Sequence, residues 1–173
     1  MKTAFLVGGG DFFAAGFKPQ KDDIIIAVDS GYSYLCDIGI KPHYIIGDFD
    51  SLDFVPNGAN VEIHPPEKDD TDTMLAVRKA IELGVKRLML FGCTGGRIAH
   101  TLGALQTLCY ICEQGCECFI IDEKYVFTAL ANGSLTFLPQ NSGYISLLPW
   151  GSKKAEISIR GLKYELDLSL IHI

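Results

Sequence analysis

Short apolar runs that stop at glycine or aspartate, alternating with segments of helical periodicity, constrain this chain more than any other feature. Residues 3–7 run into Gly8-Gly9-Gly10, 24–28 into Asp29-Ser30-Gly31, and 44–46 into Gly47-Asp48-Phe49-Asp50-Ser51. Residues 61–64 form a further short run, broken by Pro65-Pro66, and 87–91 lead into Gly92-Cys93-Thr94-Gly95-Gly96-Arg97. The apolar runs read as strands. Between them the spacing predicts a helix over 32–38 closed by Gly39, and one from Met74 with Val77 and Ile81 on a stripe, flanked by Leu75 and stopped by Gly84. A long helix is predicted over 98–113. Strands alternating with helices up to about residue 122 define an α/β class: an open, mainly parallel sheet with flanking helices that places its ligands at the strands' carboxyl ends.

After Asp122 the texture changes. Residues 125–130, 135–138, 144–148, 155–159 and 162–166 read as short strands at close spacing, with a turn at Asn132-Gly133. The expected division is therefore an α/β domain over 1–122 and a smaller, incomplete antiparallel β domain over 123–167. The boundary falls near residues 122–126, and the first β run links the two parts. A hydrophobic content of 48% across 173 residues supplies a substantial core.

A formal net charge of −6 argues against a nucleic-acid surface, so any anionic substrate must be met by a metal and a few placed cations. No stretch approaches the length of a membrane span, and the apolar run after Met1-Lys2 is too short for a secretory segment; a cytoplasmic location is expected. Cys109, Cys112, Cys116 and Cys118 lie close together but do not form paired C-x-x-C knuckles. Cys109 and Cys112 continue an apolar stripe through Ile98, Leu102 and Leu105, so they read as small packed thiols.

The carboxyl ends of the predicted strands carry the chemistry. While the backbone stays extended, Asp48 and Asp50 project to the same side of the strand end. Two carboxylates about 7 Å apart at an effective dielectric near 20 repel by roughly 2 kcal/mol, and hard oxygen ligands of this kind suggest Mg²⁺. The same pattern also suits a solvated turn in which one aspartate caps the next element. Asp29 ends another strand, and the acidic run Glu67-Lys68-Asp69-Asp70-Thr71-Asp72 opens the second helix. Three aspartates facing one region there exceed what capping requires. Gly8 and Gly9 let backbone approach a ligand, or simply turn the chain. Thr94, Gly95 and Gly96 at a strand–loop–helix junction, with Arg97 at its mouth and His100 three residues on, read as a phosphate cradle, although Arg97 also suits a solvated surface and His100 a helix-surface histidine.

Asp29-Ser30-Gly31, Gly47-Asp48-Phe49-Asp50-Ser51, Lys68-Asp69-Asp70-Thr71-Asp72 and Gly95-Gly96-Arg97-Ile98-Ala99-His100, in that order, are similar to the motifs of the thiamine pyrophosphokinase family. The resemblance spans residues 3 to about 166, including Ile145-Ser146-Leu147-Leu148-Pro149 and the stretch from Ser158 to Tyr164. It implies transfer of pyrophosphate from ATP to the hydroxyl of thiamine, with release of AMP. It also implies that Asp29, Asp48, Asp50 and Asp72 gather around Mg²⁺ and the phosphates, with Asp50 and Asp72 as the candidate catalytic bases. Thiamine would lie in a cleft at a homodimer interface that Ser158 and Tyr164 help form. The family pattern carries an aspartate where this chain has Ala99.

The resemblance further implies more β structure beyond Tyr164. The last six residues, Leu168-Ser169-Leu170-Ile171-His172-Ile173, match the translation of a common transposon-end sequencing adapter. The tail 168–173 is therefore expected to be non-native, and His172 takes no part in a site. Two rival readings remain open. One is a haloacid-dehalogenase-like phosphatase with Asp48 as nucleophile, though Leu52 departs from that class's motif. The other is a non-enzymatic nucleotide- or metal-binding module, for which an EF-hand fits poorly because Asp53 stands where glycine is required.

Overall fold

β1 (Thr3–Val7) and β2 (Ile24–Val28) are buried at every residue, which is why neither shows polar alternation. They lie at the centre of a seven-stranded sheet with β3 (Tyr44–Gly47), β4 (Val61–Ile63), β5 (Arg87–Phe91), β6 (Glu117–Ile121) and β7 (Val126–Thr128). The strand order is β4-β3-β2-β1-β5-β6-β7, parallel throughout except for the antiparallel pairing of β6 with β7. This computed structural model describes residues 1–172 apart from Asp53, Ala59, Pro66 and Asn141. The Asp53 position, the second proline of Pro65-Pro66 and Ile173 therefore lie outside the described residues.

The helices cover both faces. α2 (Asp72–Glu82) and α3 (Ile98–Glu113) bury Ala76, Val77, Ala80, Ala104, Leu108 and Ile111 against Leu6, Ile26, Ile46, Leu88, Leu90 and Ile120. α1 (Gly31–Asp37) places Leu35 on the opposite face, with Phe5, Val7, Phe17, Ile25 and Phe91. There Phe5 stacks on Phe91 at 6.1 Å, and Phe17 meets Phe91 edge-on at 5.2 Å. The two α2 ends follow local rules: Thr71 Oγ1 accepts the Met74 N–H, and Gly84 leaves the helix with φ +75°. The stripe expected to bury α3 is displaced. Ile98 and Leu102 are exposed, Cys109 and Cys112 are half-buried, and Ala104, Thr107, Leu108 and Ile111 face the sheet. Cys116 and Cys118 are buried and donate to the carbonyls of Val85 and Leu108.

The chain divides after Gly133, not at residue 122, because β7 pairs onto β6 and extends the large sheet. The second unit, from Ser134 on, contains an antiparallel pair, β8 (Lys154–Ile159) and β9 (Leu166–His172). Residues 135–138 and 144–148, expected as strands, form none; a strand needs a partner row, and this unit offers them no ladder. The run expected at 162–166 is mostly the β8–β9 connection, where Gly161 has φ +77° and its N–H is accepted by Glu165. Residues 168–172, expected to be a non-native tail, lie in β9, with His172 opposite Lys154 and Leu170 opposite Glu156.

β1 connects leftward to β2 and its neighbour across the switch is β5, so the crevice of the sheet opens between the carboxyl ends of β1 and β5. The start of α1 presses on this edge: a Cβ on Gly31 would overlap the Val7 carbonyl. Gly31→Ala is accordingly expected to destabilise the fold by about 1–3 kcal/mol, as overpacked sites do, read as a lower urea midpoint. An unchanged midpoint would show that α1 is not held against β1.

Candidate active site

Parallel strands bring Gly8, Asp29, Asp48, Gly92 and Asp122 to one edge, each just past the end of its strand. Asp29, Asp48 and Asp72 converge there, with one carboxylate oxygen from each within 4.8 Å of the others. Three elements supply them: the end of β2, the end of β3 and the first residue of α2. Asp29 sits at φ +48°, and its Oδ1 accepts the Asp48 N–H at 3.2 Å. Gly47 has no alternative at its position, because a Cβ would overlap that same Oδ1. Asp72 gains from the N-terminal end of the α2 dipole.

The Asp48–Asp50 pair does not survive the fold. Extended backbone ends at Gly47, and Phe49, with φ +60°, turns its ring into the core and is only 3% exposed. That kink sends Asp50 to the surface, where it accepts from Ser51 Oγ, while its N–H donates to Asp48 Oδ1 at 3.2 Å. The structure therefore brings together three of the four expected aspartates and leaves Asp50 beside them. Asp70 also turns away, to Arg78 at 3.2 Å, so the acidic run sends Asp72 to the cluster and not three carboxylates.

Lys68 had no assigned role, yet its ammonium bridges Asp48 Oδ2 at 3.2 Å and Asp72 Oδ2 at 2.9 Å. The signal was present, since Lys68 stands four residues before Asp72. The Asp50 N–H and the Lys68 ammonium hold the Asp48 carboxyl below its usual range, against a smaller opposing effect of burial. Among the described residues Asp29 forms no ion pair. Burial, then the charges of Asp72 and Asp48, push it up from 3.8 to about 6. Asp72 Oδ1 is buried without a hydrogen-bond partner. An orphaned carboxylate oxygen in an all-carboxylate donor set fits a hard divalent cation.

Across the switch point the loops after β1 and β5 pair through backbone. Gly8 N–H donates to Phe91, Gly10 N–H to Gly92 and Asp11 N–H to Thr94, each at 2.8 Å. A Cβ on Gly92, which has φ +63°, would overlap the Gly8 carbonyl. The Gly8 N–H is thus engaged within the sheet edge and is not open to a ligand, while Gly9 packs on the Ser30 hydroxyl. Thr94 is buried and donates its hydroxyl to Asp122, a residue given no role from the sequence although it ends a strand as Asp29 does. Gly95 and Gly96 carry positive φ, and Arg97 opens α3 with its guanidinium exposed and paired to His100. In the second unit the Ser158 hydroxyl accepts the Leu168 N–H, and Tyr164 is 75% exposed, with the Lys163 ammonium over its ring.

An open α/β sheet with a cluster of carboxylates on one lip of its switch point, and a glycine loop on the other, defines a class of phosphate-handling domain. The chain belongs to the thiamin pyrophosphokinase family: residues 19–120 match the family described as "Thiamin pyrophosphokinase, catalytic domain". It is 32% identical to thiamine pyrophosphokinase of Bacillus subtilis over 96% of this chain and 83% of that one. The crystal structure of thiamine pyrophosphokinase from Bacillus subtilis superimposes with a TM-score of 0.83 at 29% identity, over 99% of this chain and 84% of that one. That of thiamin pyrophosphokinase from Geobacillus thermodenitrificans gives 0.77 at 26% identity, over 100% and 84%.

The raised Asp29 carboxyl makes the site a stability burden. A folded value above the unfolded one means that stability falls as pH rises from about 4 to about 6, and stays lower above that. Asp29→Asn keeps an acceptor for the Asp48 N–H and removes the charge. In metal-free buffer it is expected to melt above the wild type near pH 7 and together with it near pH 4, by thermal denaturation. No gain at neutral pH would overturn this account of the cluster.

Proposed function

We propose that the protein transfers the pyrophosphoryl group of ATP to the hydroxyl of thiamine, giving thiamine diphosphate and AMP. The observation that carries this reading is the convergence of Asp29, Asp48 and Asp72 from three elements, with one buried oxygen of Asp72 left unpartnered. These three carboxylates would hold Mg²⁺, which when bound neutralises polyphosphate charge and aligns the reacting phosphorus. The exposed Arg97–His100 pair and the open start of α3 receive the phosphates, with Gly95 and Gly96 keeping side chains out of the way. Thr94 contributes by fastening that loop to Asp122. Asp50, outside the cluster and exposed, takes the proton of the attacking hydroxyl, a role Asp72 is less free to fill as a member of the carboxylate cluster.

Tyr164 offers an exposed aromatic face to the vitamin's rings, with Ser158 nearby on β8, and a homodimer is the proposed assembly. Among the described residues no helix is long and apolar enough to cross a membrane. The direct test is incubation with thiamine, ATP and Mg²⁺ while AMP, thiamine diphosphate and inorganic phosphate are quantified. AMP and thiamine diphosphate in equal amounts are expected. Thiamine-independent phosphate release, or a trapped phospho-Asp48, would replace this reading by that of a phosphatase.

Two variants separate the roles. Asp50→Asn should lower turnover by roughly a hundredfold or more while cation binding persists, whereas Asp72→Asn should lose both. Equal loss of cation binding in the two variants, by titration with Mn²⁺, would return Asp50 to the ligand set.

A further inference from the structure

Lys68 belongs to neither a strand nor a helix, yet its ammonium is better satisfied than a surface lysine's. It donates to Asp48 Oδ2 at 3.2 Å and to the Pro65 carbonyl at 3.0 Å, and it forms an ion pair with Asp72 Oδ2 at 2.9 Å. The three side chains are 14%, 12% and 12% exposed for Lys68, Asp48 and Asp72, so the pair of bridges is largely screened from water. Three carboxylates less one ammonium leave a net charge of −2 at the cluster, the complement of a divalent ion. The two oxygens that Lys68 occupies come from the very residues assigned to the cation.

Resting on the reading of the cluster as a cation site, we propose that Lys68 is its internal counter-ion and competes with the divalent ion for Asp48 and Asp72. With no divalent ion bound, the ammonium holds the two carboxylates together against their mutual repulsion. An entering cation displaces it, because a dication held by the same two carboxylates repels an ammonium bound to them. The released ammonium then stands at the same edge with no partner, and an anionic polyphosphate is the chemistry that suits it. Cation and polyphosphate binding are in this way coupled through one side chain: the ion frees the lysine, and the phosphates hold it in its displaced position.

The test is titration of the full chain with Mn²⁺ alone, followed by electron paramagnetic resonance, for wild type, Lys68→Met and Lys68→Gln. Removing the competitor should tighten Mn²⁺ binding by about fivefold or more in both variants. The same variants should melt lower than wild type in metal-free buffer and recover on addition of Mn²⁺. Gln retains donors for the carboxylates without the charge, so it preserves the test should the Met variant fold poorly. Wild-type binding with equal or weaker affinity in both variants would overturn the exchange and leave the cation site standing. Absence of Mn²⁺ binding in all three proteins would overturn the cation site and the exchange together.

Discussion

Repulsion among the Asp29, Asp48 and Asp72 carboxylates is the constraint around which this sheet edge is arranged. Brought within 4.8 Å of one another from three elements, they would drive the edge apart if left alone. The fold answers with local donors. Asp48 N–H is given to Asp29, Asp50 N–H to Asp48, and the Lys68 ammonium to both Asp48 and Asp72. The helix dipole of α2 adds a favourable field at Asp72. Asp29 remains under-compensated, and its elevated carboxyl is the residue of a conflict between folding and ligand binding.

The opposite lip of the crevice is built on backbone, not charge. Gly8 and Gly92 allow the loops after β1 and β5 to touch carbonyl to Cα, so both loops are pinned across the switch point by three backbone hydrogen bonds. Thr94, buried and tied to Asp122, extends that pinning to β6. Only past Gly95 and Gly96 does the chain become free to present charge, at Arg97. A rigid base with an exposed guanidinium at its end suits the polyphosphate of the proposed reaction. Gly8 and Gly92 thus hold the loop, Gly95 makes room for the Asp11 carboxylate, and Gly96 stands in open space.

The limits of the sequence reading fall where pairing and kinks are non-local. Strand ends, the stop at Gly84 and the span of α3 depend on neighbouring residues, and their boundaries agree with the structure closely. Residues 135–138 and 144–148 have apolar strand composition, yet pairing partners decide whether a strand exists, and among the described residues they have none. The α3 stripe failed for a related reason: several faces of that helix are apolar, and contact with β6 and α2 chooses among them.

By itself the sequence determined the α/β alternation, the placement of aspartates and glycines at strand ends, and the motif set similar to thiamin pyrophosphokinases, because each is written in a few consecutive residues. The tertiary structure alone decided which aspartates meet. A positive φ at Phe49, set by burial of its ring, parts Asp50 from Asp48, and the packing of α2 against the sheet brings Asp72 and Lys68 in from twenty residues or more away. Charge proximity is a property of distance in space, and no local pattern encodes it.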